Sequence, residues 1–293
     1  MKAEKLYESL DREFKLDMLH DDEWSLLDLE DYITENFKER RMGLVLDNTD
    51  KIKKVYTAVF PSERVLDHIL TGEERNILLF THHPMIWHPV VGGYPFRNIP
   101  KTYLEKLKER EISYYAIHVP LDNNGPYGTT ASFARALEIE TEMEFFEYFG
   151  AIVGIIGKTR FTSMLDLTKK VGETVGHRIK VWEYGSSGIP DQRVAIAAGG
   201  GNIPELALEI ADAGVKTYIT GVTMKSPDYE PSIRFHEICQ ENKINVFAVT
   251  HYSAEKFACI SVQEFFENLG IPSEFIEDEP DFNDFDYLHQ SSG

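Results

Sequence analysis

Cysteine is nearly missing from this chain: Cys239 and Cys259 are the only two in 293 residues. They cannot build a disulfide framework, and their separation has no zinc-finger spacing, so both are expected to be reduced, buried and structural. No apolar run approaches the length of a membrane span, and Met1-Lys2-Ala3-Glu4-Lys5-Leu6 opens a polar stretch rather than a signal peptide. A cytoplasmic protein without membrane contact is expected. Positive charge is also scarce. With 30 Lys and Arg against 49 Asp and Glu, the formal net charge is −19, which argues against direct nucleic-acid binding. The same imbalance slows a polyanionic substrate unless the pocket is locally positive or carries metal cations. A Gly-x-Ser-x-Gly elbow is absent and neither cysteine is flanked as a nucleophile would be, which disfavours covalent catalysis.

What is present is an ordinary globular composition, 42% hydrophobic and 27% charged, with room for two α/β domains and their cores. Over residues 1–40, Leu16, Leu19, Trp24, Leu26, Leu27, Leu29, Ile33 and Phe37 recur at helical spacing. That spacing predicts two or three helices packing one face inward, without chemistry of their own. A strand over 55–60, a helix over 63–70 capped by Ser62 and a strand over 77–81 follow, which implies a parallel pair. Next come an aromatic, Gly- and Pro-rich loop over 88–100, a helix over 101–110 and a strand over 112–118. The alternation restarts near 145, with strands over 151–156, 179–182, 194–198 and 217–220 and helices over 164–171 and 204–213. The expected organisation is a first α/β domain over 1–129, a second over 130–244, a return to the first over 245–272, and an acidic tail over 273–293. The return comprises a strand over 245–250 and a helix to about 269, and the tail is either disordered or draped over the surface.

Chemistry gathers at strand ends. The apolar run Ile77-Leu78-Leu79-Phe80-Thr81 closes on His82-His83-Pro84, which puts two nitrogen ligands at the edge where α/β proteins place their sites. Alone, the pair reads as well as one core histidine beside one solvated histidine. A second strand ends in His118-Val119-Pro120-Leu121-Asp122, an imidazole and a carboxylate on a loop, although Asp122-Asn123-Asn124-Gly125 is also ordinary turn chemistry. Right-handed crossovers would bring both ends to one edge of a parallel sheet. At a third strand end, His251 and Glu255 are spaced i, i+4 on the first turn of a helix. Together these groups offer imidazoles and carboxylates without thiolates, a set that suits two divalent ions such as Zn, Mn or Fe. Gly199-Gly200-Gly201-Asn202, ahead of Pro204-Glu205, reads either as an anion-cradling substrate edge or as a tight turn needing positive φ. His88 could reach the pocket, whereas His20, His68, His177, His236 and His289 are expected to be structural or solvated.

In order along the chain, Thr81-His82-His83-Pro84, His118-Val119-Pro120-Leu121-Asp122, Ala198-Gly199-Gly200-Gly201, Tyr218-Ile219-Thr220-Gly221 and Thr250-His251-Tyr252-Ser253-Ala254-Glu255 resemble the landmarks of one family. It is the YbgI-like family of GTP cyclohydrolase I type 2 homologues, also called NGG-interacting-factor-like. The resemblance covers roughly residues 30–270. It implies two intertwined three-layer α/β domains, a dinuclear divalent-metal centre between them, and homohexamers built from dimers. Carried over motif by motif, the ligands would be His82, His83, Asp122, His251 and Glu255, with Asp122 or Glu255 bridging and His118 a further ligand or a proton carrier. Two departures stand out: the family usually has Gly where this chain has Thr250, and an acidic residue with a nearby lysine where this chain reads Gly221-Val222-Thr223-Met224-Lys225.

The reading is a metal-dependent hydrolase in which activated water attacks a small, nucleotide-like substrate, with His118 as catalytic proton shuttle. A metal-binding scaffold or metal chaperone, and a two-metal phosphoesterase, are the competing readings.

Overall fold

The computed structural model describes residues 1–21, 24, 29, 31–89, 94–227 and 229–286. Leu26, Leu27, His289, residues 90–93 of the aromatic loop and the last seven residues of the tail, 287–293, therefore lie outside the described residues.

Alternating apolar residues decide which way each strand faces, and each of two sheets buries both faces. In the first sheet the order is Gly43–Leu46, Ile112–Ala116, Ile77–Thr81, Lys54–Ala58 and Ser273–Phe275, with only the Gly43–Leu46 edge antiparallel. Leu78, Phe80 and Tyr115 point to one side and pack on Leu6, Leu10, Cys259 and Phe266 from the helices Ala3–Glu13, His251–Ser261 and Gln263–Asn268. Ile77, Leu79 and Tyr114 point to the other, against Val65, Leu66 and Leu107 of Glu63–Thr71 and Lys101–Glu109. Ser62 caps Glu63–Thr71 as expected, its side chain accepting from the Val65 N–H.

The second sheet runs Glu140–Tyr148, Ala151–Lys158, Arg193–Ala197, Thr217–Thr220, Asn245–Ala248 and Lys180–Trp182, parallel over the three strands from Arg193–Ala197 to Asn245–Ala248. Ile196, Ile219 and Phe247 meet Phe133 and Leu167 from Thr129–Ala136 and Met164–Val175 on one face. Tyr218 and Val246 meet Leu206 and Phe235 from Pro204–Asp212 and Glu230–Glu241 on the other. Each half is thus three-layered, with helices on both faces of a sheet that is mostly parallel in the first half and mixed in the second, where three of the five strand pairings are antiparallel.

The helix His251–Ser261 ties the halves together. Its Tyr252, Ala258 and Cys259 belong to the core of the first sheet, while Ala254 belongs to that of the second. Both cysteines are free and buried.

Gly43–Leu46, Thr129–Ala136 and Glu230–Glu241 are not among the expected elements, and three further elements depart from the expected pattern. Asn245–Ala248, expected in the return to the first domain, pairs with Thr217–Thr220 in the second sheet, so the crossing is made by the helix after it. Ser273–Phe275, expected in the tail, completes the first sheet beside Lys54–Ala58. Glu140–Tyr148 is a strand that the sequence hides, because its Glu-rich start is exposed and carries little apolar alternation. It turns into Ala151–Lys158 through Phe149 and Gly150, both at positive φ (48° and 85°), the backbone of a two-residue hairpin turn. Among the described residues, no helix is long and apolar enough to cross a membrane.

Candidate metal centre

The histidine pair sits where the strand Ile77–Thr81 runs out but its ladder does not. The His82 and His83 N–H groups still donate to Ala58 and Val59 carbonyls at 3.2 and 3.0 Å, which fixes both backbones. The His83 carbonyl accepts from Thr81 Oγ1 at 2.6 Å and from the Tyr114 hydroxyl at 3.0 Å. On the adjacent strand end, Val119–Asp122 forms a single helical turn rather than the expected loop. The Asp122 N–H donates to the His118 carbonyl at 3.0 Å, so both side chains stand on one face. His251 and Glu255 occupy the first turns of the bridging helix, and the i, i+4 spacing points both at the same place.

The three strand ends converge. Glu255 Oε1 lies 3.1 Å from His251 Nε2 and 3.4 Å from His82 Nε2, and Oε2 lies 3.0 Å from His83 Nε2. Asp122 spans the other side, 3.3 Å from His82 Nε2 and 3.5 Å from His118 Nε2. Ligand atoms of His82, Asp122 and Glu255, of His83, His251 and Glu255, and of His82, His83 and His118 fall within 4.8 Å of one another in each trio. Every residue singled out in the sequence as a ligand or proton carrier is therefore in this cluster. His88 is not, being exposed to solvent. Of the remaining histidines, His20 and His68 are exposed, His177 bonds Ser253 Oγ, and His236 is buried between Thr223 and Tyr184.

The donor set fits divalent cations on one atom in particular. His82 Nδ1 must donate to the Ile117 carbonyl at 3.0 Å, which leaves Nε2 a lone pair. That Nε2 is buried without a hydrogen-bond partner and faces two carboxylate oxygens. Lone pair against lone pair is repulsive unless a proton or a cation lies between them. Burial alone would lower the His82 pKa, but Asp122 and Glu255 outweigh it and hold it well above the usual range. His83 goes the other way, pushed down chiefly by burial. Burial raises the Glu255 carboxyl, but His251, His82 and His83 overcome that and keep it well below the usual carboxylate range.

Four surrounding residues were invisible in the sequence as site components. Asp21 Oδ1 sits 3.0 Å from His118 Nδ1, so the His118 Nδ1–H donates to it and the lone pair of Nε2 is turned toward the cluster. Burial lowers the His118 pKa, yet the Asp21 carboxylate more than restores it and leaves it raised. Trp24 packs edge-on against His118, ring centroids 4.9 Å apart. The N-terminal segment, expected to be chemically silent, thus supplies a wall and a carboxylate. From the tail, the buried Asp284 accepts from the His251 N–H at 2.7 Å and from Trp87 Nε1 at 2.9 Å. Trp87 in turn lies 4.3 Å, centroid to centroid, from His251.

The glycines are explained by close approach. Gly199 has φ 74°, and a Cβ there would overlap the Glu255 carboxylate; Gly221 would collide with Gly199, Thr250 and His251 backbone. Gly200 and Gly201 face the cleft described below. Thr250 adopts φ 73° and ψ 151°, ground that glycine takes freely and other residues hold at a cost of about 1–3 kcal/mol. Its hydroxyl offsets part of this as an N-cap, accepting from the Ser253 N–H at 3.3 Å. Because glycine is only a few tenths of a kcal/mol worse as a cap, Thr250→Gly is expected to raise stability to urea by about 1 kcal/mol. A loss of stability would mean that the hydroxyl cap outweighs the strain.

A cleft of about 900 Å³ opens onto the cluster between the two halves, lined by His83, His118, Asp122, His251 and Glu255 at one end. These features define an α/β protein with a buried imidazole and carboxylate centre, of the kind that holds divalent cations, at the junction of two three-layer units. The chain belongs to the Duf34/NIF3 (NGG1p interacting factor 3) family, whose model matches residues 32–281. A GTP cyclohydrolase 1 type 2 homolog of Archaeoglobus fulgidus is 32% identical over 239 residues, 80% of this chain and 88% of the relative. The homolog of Pyrococcus horikoshii is 27% identical over 77% of this chain and 85% of its own. Among solved structures, a protein called ybgI, of unknown function, superposes with a TM-score of 0.73 at 22% identity, covering 96% of this chain and 100% of that one. Reduced HcgD from Methanocaldococcus jannaschii gives 0.64 at 23% identity over 95% of this chain and 98% of its own. These two likenesses show the shared fold.

Proposed function

We propose that the protein is a divalent-metal-dependent hydrolase of a small, nucleotide-like molecule. The observation that carries this reading is the convergence of His82, His83 and His251 on the two oxygens of one buried glutamate, Glu255, at the wall of a cleft. His82, His83, Asp122, His251 and Glu255 would hold two cations. Such cations supply a nucleophile from water at neutral pH and polarise the group attacked.

The chain's own residues do the rest. Asp21 orients His118 so that Nε2 faces the cluster, and His118 has the most exposed side chain of the four clustered histidines, 12% against 0–6%. That exposure supports a role for His118 as the group that carries a proton between the site and the cleft. Trp24, Phe60, Trp87 and Phe96 pack around the imidazoles and limit water there. The name shared by the relatives points to GTP as the first compound to try.

The test is to load the protein with Zn, Mn or Fe and follow GTP. Release of formate is the expected result, and release of phosphate would favour a two-metal phosphoesterase. His118→Gln is expected to lower kcat by roughly a hundredfold or more while leaving cation content unchanged. No turnover across a panel of nucleotides, nucleosides and phosphoesters would overturn the hydrolase and leave the metal-binding scaffold or chaperone. The same family resemblance carries a homohexamer in solution, which light scattering would check.

A further inference from the structure

The walls of the cleft have a composition that the family name does not anticipate. None of the 30 lysines and arginines lines it, and all 30 lie among the described residues. Three cations are adjacent in sequence to a lining residue, and all three are engaged elsewhere. Arg97 pairs with Glu63 at 3.0 Å, Lys225 lies 4.7 Å over the Trp182 ring, and Lys256 donates to the Val175 carbonyl at 2.9 Å. Around the cluster, Asp21, Asp122, Glu255 and Asp284 contribute four carboxylates. Two divalent cations would be largely offset by these carboxylates and leave little surplus to attract a polyphosphate.

Aromatic rings take the place of charge. Trp87, Tyr94 and Phe96 line the first-sheet side, and Phe146, Tyr148 and Tyr229 line the side of the second sheet. Tyr94 and Tyr229 remain half exposed, 49% and 50%, in a protein that buries most of its large side chains. Phe146 is held at φ 62°, a left-handed conformation uncommon for a bulky residue. Its N–H donates to Glu209 at 3.1 Å, which secures that backbone.

Building on the hydrolase reading, we infer that the cleft recognises the planar heteroaromatic ring of its substrate by stacking, and that phosphate groups add nothing to recognition. The substrate class is a nucleobase, a nucleoside or a similar ring system of little charge, and not a nucleoside triphosphate as such. Rings on both walls offer faces to any purine or pyrimidine, and the cations at the end of the cleft are left free to act on the ring.

The experiment measures binding rather than turnover. Guanosine, GTP and inorganic tripolyphosphate are each titrated into metal-loaded full-length protein with excess magnesium, so that the phosphates do not strip the bound cations, and heat and tryptophan fluorescence are read. Guanosine and GTP are expected to bind within about threefold of each other, with tripolyphosphate at least tenfold weaker. Tyr94→Ala and Tyr229→Ala, half-exposed positions whose removal opens no core, should each weaken guanosine about tenfold. The inference is overturned if GTP binds more than tenfold tighter than guanosine, if tripolyphosphate matches GTP, or if guanosine fails to bind at millimolar concentration. The two proposals fail separately. Protein that binds guanosine and hydrolyses nothing keeps this inference and loses the hydrolase, whereas protein that hydrolyses GTP and binds tripolyphosphate tightly does the reverse.

Discussion

Glu255→Gln is expected to weaken divalent-cation binding by hundreds- to thousands-fold, about 3–5 kcal/mol, the cost typical of removing one partner from a buried charge cluster. The glutamate is 2% exposed and stands within 3.4 Å of three imidazole nitrogens, so no neighbouring carboxylate can take its place at all three. Asp122 reaches only the His82 and His118 side. Glutamine keeps the shape and the hydrogen-bonding oxygen, and the fold should survive. Metal content after purification, cation titration by calorimetry and far-ultraviolet circular dichroism of the metal-free variant separate lost binding from lost structure. Unchanged metal content would place the cations elsewhere and remove the centre from this cluster.

The second large effect concerns the tail. Asp284→Ala is expected to destabilise the protein by about 2–4 kcal/mol, because it leaves the His251 N–H and the Trp87 indole N–H buried without partners. Cation affinity should fall as well, by about 10–100-fold, since residues that orient a ligand commonly contribute that much. The carboxylate is fully buried and burial pushes its pKa up to about 7. Meanwhile the Asp284 backbone carbonyl accepts from the Thr223 and Met224 N–H groups at 2.8 and 3.0 Å. Asp284→Asn, which retains an acceptor oxygen, should lose less on both measures. Urea unfolding gives the first quantity and cation titration the second. A change below about 1 kcal/mol for the alanine variant would show that the tail lies against the site without holding it.

These expectations divide between what could be read from the chain and what could not. The strands Ile77–Thr81 and Thr217–Thr220 match the apolar runs that announced them, because a buried parallel strand needs little beyond local β-branched and apolar sequence. The neighbouring strand ends could be brought together on paper, since crossover handedness leaves few arrangements. The single turn Val119–Asp122 could not be read, because Pro120 and Asp122-Asn123 are equally good turn residues and only packing chooses. Nor could the hairpin strand Glu140–Tyr148, whose stabilising partner is its neighbour rather than its own alternation.

The sequence by itself determined which side chains could gather: His82, His83, His118, Asp122, His251 and Glu255 stand at or just after strand ends, and strand ends are local features. The tertiary structure alone decided what surrounds them. Asp21 meets His118 across 97 residues and Asp284 meets His251 across 33, from segments to which the sequence assigned no chemistry. Such contacts join segments far apart in the chain through packing, and no local periodicity encodes them. The same holds for an aromatic cleft with no lysine or arginine in its walls. Composition counts 30 basic residues, but only packing could turn every one of them away from the site.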